Sequence, residues 1–151
     1  MNLNDCLLFQ ALSEATRNSL AALAREESHP KGGFLFRAGD PAKDFYILAE
    51  GRVRLSIGGA GHISSIVSGC GEMLGWSSMV GQPAYTASAE CLLPVTVWRF
   101  DAAELARLLE SAPADGLLFY KRLAELIGKR LAASYGATLS VHGEREHKYW
   151  G

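Results

Sequence analysis

The sequence predicts an α+β domain: an antiparallel β jelly roll or barrel with one helix before it, and a short then a long helix after it. Three observations predict this. Between Phe34 and Phe100 the chain reads as short, often alternating apolar runs cut by turn-rich segments, the pattern of strands in a closed or two-layered antiparallel sheet. On either side the apolar spacing lengthens to that of helices. The 151 residues, 48% hydrophobic and 21% charged, suffice for a single domain over 1–151 with its own core and are too few for two comfortable ones.

From about Ser13 to Glu27, Leu20, Leu23 and several alanines recur at helical spacing, and "SHPKGG" cannot extend a helix, which predicts one amphipathic helix. "FLF", "DFYILAE", "RVRLSI", "HISSIV", "YTASAECL" and "VTVWRF" then read as six or more strands, separated by "RAGDPAK", "EGR", "GGAG" and "SGCG". In "DAAELARLLESAP", Asp101 is placed to cap a short helix with Glu104 three residues on, and Pro113 marks its stop. The last helix, from about Gly116 to Tyr135, carries Leu117, Tyr120, Leu123, Ile127, Leu131 and Tyr135 along one side, with Lys121, Arg122, Lys129 and Arg130 elsewhere on its surface. It is longer than a lid on a small barrel needs, so Leu117, Tyr120, Leu123, Ile127 and Leu131 are the candidate contacts of a homodimer. Residues 136–151 read as a polar tail.

Fifteen basic against sixteen acidic side chains give a net charge of -1, so no overall field draws the chain to nucleic acid or an anionic membrane. No apolar run is long enough to span a bilayer, and no leader pattern opens the chain, so the expected location is cytoplasmic. Cys6, Cys70 and Cys91 lack the spacing of a disulfide framework or a structural zinc site and read as idle thiols. A metal site is not expected: His29 precedes the strands, His142 and His147 follow the long helix, and no strand supplies a histidine pair beside His62. "GCGEMLG" has neither the spacing nor the strand-to-helix context of a dinucleotide fingerprint, and no serine sits on a nucleophile elbow.

"FLFRAGDPAKDFYILAEGRVRL", followed by "GCGEMLGWSSMVGQPAYTASAE", resembles the cyclic nucleotide-binding domain family, the sensor domain of CRP/FNR-type regulators. The resemblance covers about residues 7–133 and rests on Gly39-Asp40, Tyr46-Ile47-Leu48, Gly51-Arg52-Val53, Gly71, Gly75 and Thr86-Ala87 in order. It implies the cyclic-nucleotide-binding jelly roll, and a ligand loop of Phe-Gly-Glu, a short helix, then Arg-Ser/Thr-Ala. In the family the glutamate holds the ribose hydroxyl and the arginine pairs with the cyclic phosphate. The corresponding stretches here are Leu74-Gly75-Trp76 and Tyr85-Thr86-Ala87, so aromatics stand where the two charges are expected. Glu72 belongs to the entry of the loop.

The candidate ligand-binding residues are therefore Leu74, Gly75, Trp76, Ser77, Ser78, Tyr85, Thr86 and Ala87. A helical turn at "SSM" would add amides to the hydroxyls of Ser77, Ser78 and Thr86, all neutral donors. Arg52, Arg54 and Arg99 read as outward and solvated. Trp76 and Tyr85 admit two readings, as a stacking platform for a flat ligand or as filling of the nucleotide's space. The expectation is a stand-alone regulatory sensor domain, not an enzyme, that does not bind cAMP or cGMP in the usual way and needs no cofactor. The alternatives are a genuine cyclic nucleotide receptor using loop amides and hydroxyls, an interaction module with a closed pocket, and a cupin-like metalloenzyme. Its partner would be a second copy together with an unidentified small molecule or protein. Residues 136–151 are too short for a helix-turn-helix, and the basic residues of the long helix, interleaved with Glu125, read as a solvated face, so direct DNA binding is not expected.

Overall fold

The computed structural model describes residues 2–58 and 63–142. After a 3-10 turn at Leu3–Asp5 come α1 (Glu14–Leu23) and strands β1 (Arg25–His29), β2 (Phe34–Phe36), β3 (Asp44–Glu50), β4 (Val53–Ile57), β5 (Ile63–Val67) and β6 (Met73–Leu74). A second 3-10 turn (Trp76–Met79), β7 (Ser88–Cys91), β8 (Val95–Asp101), α2 (Ala102–Ser111) and α3 (Pro113–His142) complete it. The strands form two antiparallel sheets, ordered β1-β8-β3-β6 and β2-β7-β4-β5. This is a jelly roll with helices at both ends of the chain, as the strand pattern predicted.

Strand β3 joins two cores. Its alternate side chains Phe45 and Ile47 point to the helices, where they meet Phe9, Leu20, Phe100, Leu105, Leu109, Phe119 and Leu123. Tyr46 and Leu48 point the other way, into the roll, against Phe36, Val53, Val67, Leu74, Tyr85, Ala89, Val95 and Val97. Phe9 packs between Phe100 and Phe119 at 5.9 and 6.1 Å between ring centres.

Three elements depart from the sequence expectation. The first helix stops at Leu23, not near Glu27; Ala24 is extended, and Arg25–His29 instead pair with Val95–Arg99 as an edge strand. The stretch "AREES" has ordinary helix formers, and only the neighbouring β8 supplies the ladder that converts it to strand. Strand β6 has two residues, too few to show a period. The last helix starts at Pro113 and runs to His142, so residues 136–142 extend it; 143–151, with His147, lie outside the described residues, as does His62.

Proline is suited to the first position of a helix, where no intrahelical partner exists for its missing amide. One turn later, a Cβ on Gly116 would lie 2.6 Å from the Leu109 carbonyl oxygen, so this glycine lets α3 begin against the end of α2. Asp115 fastens the same turn to α1: it accepts from the Ser13 amide at 3.0 Å, the Ser13 hydroxyl at 2.6 Å and the Thr16 hydroxyl. Asp101 Oδ1 accepts from the Glu104 amide at 3.0 Å, the cap expected for α2. No helix among the described residues is long and apolar enough to cross a membrane.

Candidate functional site

The loop between β6 and β7 is placed by a sharp reversal. Leu74 pairs with Tyr46 of β3, and the chain then turns at Gly75 with φ 74°. A side chain at Gly75 would be strained there and would also meet the Asp44 carbonyl at 3.0 Å and the Tyr85 ring at 3.2 Å. The expected helical turn follows as 3-10 over Trp76–Met79. Both the Ser78 amide and the Ser78 hydroxyl donate back to the Gly75 carbonyl, at 3.1 and 2.8 Å. The Ser78 hydroxyl proton is thereby committed within the loop.

Tyr85 is buried and lies flat on Phe36, ring centres 4.0 Å apart. Its hydroxyl donates to the Asp44 carbonyl at 2.7 Å and accepts from the Asp44 amide at 3.0 Å. Its own amide and carbonyl are taken by Asp40 and Gly39. Tyr85 is thus held at its hydroxyl, across its ring face and at its backbone. Burial pushes the Tyr85 hydroxyl's pKa up, so it stays a neutral donor.

The space left beside it is a cleft of about 30 Å³, lined by Phe36, Leu55, Gly75, Trp76, Ser77, Tyr85, Thr86, Ala87 and Arg130. That holds a water or two. Ligand pockets for drug-sized molecules run to roughly 300–1,000 Å³. Of the eight candidate residues, Gly75, Trp76, Ser77, Tyr85, Thr86 and Ala87 come together here. Leu74 is buried in the core of the roll and, like Ser78, does not line the cleft. Trp76 is half-buried and packs against the helical core as well as lining the opening.

Arg130 is the residue that sequence reasoning misplaced. It does not lie on the solvated face of α3 but reaches the cleft from the side of the helix facing the sheets. Its Nη2 donates to the Met73 carbonyl, while Nη1 is buried with no hydrogen-bond partner. Burial holds its pKa below the usual arginine range, with Glu72 opposing. The signal was in the sequence: Phe119, Leu123, Leu126 and Arg130 recur at spacings of four, three and four, one continuous helical stripe whose first three members are apolar. The other basic residues behave as expected, with Lys121 and Lys129 exposed and Arg122 pairing with Glu125 at 2.8 Å.

Of the five candidate dimer residues, Leu123 is buried within the chain's own helical core and Ile127 packs against that core, which removes Leu123 from any intermolecular stripe. Leu117, Tyr120 and Leu131 are exposed. Arg99 pairs with Glu27 at 3.1 Å and Arg54 with Glu90 at 3.6 Å, so neither faces the cleft, and Arg52 is exposed. Glu72 accepts from the Gly69 amide at 3.0 Å and closes the turn before β6. Cys6 and Cys91 are buried and Cys70 exposed; burial pushes the Cys6 thiol up to about 11, which keeps it protonated. Among the described residues no three histidine, cysteine or carboxylate side chains converge to hold a metal.

The cyclic nucleotide-binding domain profile matches residues 26–112, more than half the chain. The chain belongs to the cyclic nucleotide-binding domain family. It superposes on a cyclic nucleotide-binding domain from Methylobacillus flagellatus with a TM-score of 0.80 at 23% identity, covering 96% of this chain and 82% of that one. It superposes on the sensor domain of the transcriptional regulator DNR from Pseudomonas aeruginosa with a TM-score of 0.69 at 25% identity, covering 86% and 89%. An NTE family protein of Mycobacterium tuberculosis, itself of uncharacterized function, is 29% identical over 108 residues, 72% of this chain. The match spans only 18% of that relative's length. The structural neighbours of this cyclic nucleotide-binding domain are mostly regulatory, and one is a cAMP-binding acyltransferase from Mycobacterium smegmatis.

Proposed function

We propose that this cyclic nucleotide-binding domain is a regulatory module that does not take cAMP or cGMP in the family's usual way and that transmits its state through a homodimer formed by α3. The observation that carries the first part is Tyr85, packed on Phe36 and held at its hydroxyl by the Asp44 backbone where the family places its phosphate-binding arginine. Removing one partner of a buried ion pair costs roughly 3–5 kcal/mol, and each factor of ten in affinity is about 1.4 kcal/mol. A cyclic phosphate entering here would lose that pair and would also have to displace a fixed ring. The module reads as regulatory rather than catalytic, since among the described residues the cleft gathers neutral hydroxyls and one cation, with no carboxylate, histidine or thiol in its lining to activate them.

The dimer rests on a second stripe of α3. Leu117, Tyr120, Ala124, Ile127 and Leu131 recur at alternating three- and four-residue spacing, the seam of a two-stranded coil, next to the stripe buried under the sheets. Leu117 is 71% exposed and Leu131 49%, a cost in water that a second copy would remove.

Thermal unfolding with cAMP or cGMP up to millimolar concentration tests the closed site. A ligand at about 100 times its dissociation constant stabilises by roughly 2.7 kcal/mol, a rise of several degrees for a chain of this size. The expected result is no saturable rise. A saturable rise in the micromolar range would make the domain a genuine nucleotide receptor.

A further inference from the structure

The sheet that carries β8 has an opening on the face turned away from the interior of the roll. Trp98 pairs with Ile47 across β8 and β3, so its side chain lies on the side of the helical core, not with Tyr46 and Tyr85. Beside it, between α1 and the turn that opens the chain, is a groove of about 520 Å³. Small-molecule sites run to roughly 300–1,000 Å³. The groove shares no lining residue with the cleft at Tyr85.

Helical spacing builds one wall, since Glu14, Arg17, Asn18 and Ala21 follow one another at three, one and three residues along one face of α1. Ala21 and, past the helix end, Ala24 are short, and leave the half-buried indole of Trp98 to line the groove. Its N–H is covered and has no acceptor, so the ring carbons are the surface a ligand would meet. The N-terminal turn adds Asn2 and Asn4. Asn4 Oδ1 accepts from Arg17 at 3.0 Å and Asn2 Oδ1 from the Asn4 amide at 3.0 Å, which orients both side chains and leaves their NH2 groups as donors. Glu14 and Asn18 make no side-chain hydrogen bond or ion pair among the described residues.

The lining is charge-balanced, with one carboxylate and one guanidinium. An anion would gain from Arg17 what it loses to Glu14, and a cation the reverse. The match is a neutral ligand with an apolar face for the indole and a rim of groups that both donate and accept. We infer that this groove binds a neutral saccharide, with the C–H face of a sugar ring on Trp98 and its hydroxyls on Asn18, Arg17, Glu14 and the N-terminal asparagines. Covering C–H surface with an aromatic ring removes apolar area from water. Each amide supplies a donor and an acceptor to hydroxyls that are themselves both, and the two charged groups make the stronger hydrogen bonds. Occupancy of this groove is independent of how the cleft at Tyr85 is filled.

The test titrates glucose, galactose, N-acetylglucosamine and trehalose into the isotopically labelled chain, with sorbitol, which has the hydroxyls but no closed ring, as control. Amide and indole resonances are followed instead of the thermal midpoint, because sugars stabilise folded proteins by exclusion from their surfaces. Saturable shifts of the Trp98 indole and of Arg17 and Asn18, with at least one of the sugars at millimolar concentration and not with sorbitol, support the site.

Two variants at exposed positions of α1 sharpen it. N18A should weaken binding about three- to tenfold, as expected for lost hydrogen bonds. A21L introduces a good helix former whose bulk stands before Trp98, and should abolish binding. Unchanged affinity in either variant, shifts confined to other parts of the chain, an equal response to sorbitol, or no saturable binding of any of the four sugars overturns the inference. Tighter binding of glucose 6-phosphate than of glucose also overturns it, since Glu14 stands beside Arg17. None of these outcomes bears on the reading of Tyr85, whose signals belong to the other face of the sheet.

Discussion

The two cores on either side of β3 are built from neighbouring residues of one strand and yet do different work. The side receiving Phe45 and Ile47 is closed by Phe9, Phe100, Phe119 and leucines of all three helices, apolar throughout. The side receiving Tyr46 and Leu48 runs from valines and leucines to Tyr85, where polar atoms begin and the cleft opens beside Arg130. The helical core is held by packing, with the Asp115 tie to Ser13 and Thr16 at its edge. The interior of the roll ends at a cleft where the Tyr85 ring lies on Phe36 and Arg130 reaches in from α3.

The difference can be tested by unequal mutations. Phe119→Ala empties a ring's volume in the apolar core, where neighbours on three sides cannot collapse into it, and should cost about 3–5 kcal/mol in urea unfolding. A loss under 1 kcal/mol would mean that the helices are loosely docked. Tyr85→Phe keeps the ring on Phe36 and removes the two hydroxyl bonds to Asp44, for an expected loss of about 1–3 kcal/mol. If it matched the Phe119 variant, hydrogen bonding and not ring packing would be what closes the roll.

The smallest effect belongs to the tie between helices. The Ser13 and Thr16 hydroxyls and the Ser13 amide hold the Asp115 carboxyl below its usual range. A depressed folded-state pKa contributes stability that is present above the unfolded value and lost as pH falls through the folded one. Stability should therefore decline in that acid window, and Asp115→Asn should flatten the decline. This carboxylate is largely exposed, so the effect is a modest change in slope. An unchanged pH profile in the variant would place the tie elsewhere.

Much of this was readable from local pattern. The alternation in "DFYILAE" and "VTVWRF" forecast β3 and β8, Asp101 forecast the start of α2, and the order of glycines forecast where the roll turns. Trp76 and Tyr85 announced that the usual charged contacts were missing. What local pattern could not decide was where the Tyr85 ring lies, because that depends on Phe36, far away in sequence, arriving beneath it.

The sequence by itself determined the roll with its flanking helices and the loss of the two charges from the loop, since both follow from residue spacing and identity along short stretches. Tertiary structure alone decided that Arg25–His29 become a strand, that Tyr85 packs flat on Phe36, and that Arg130 turns inward. Each depends on a partner supplied by another segment: a hydrogen-bonding edge on β8, a ring on β2, and the rotation of α3 against the sheets, which its own two apolar stripes leave open.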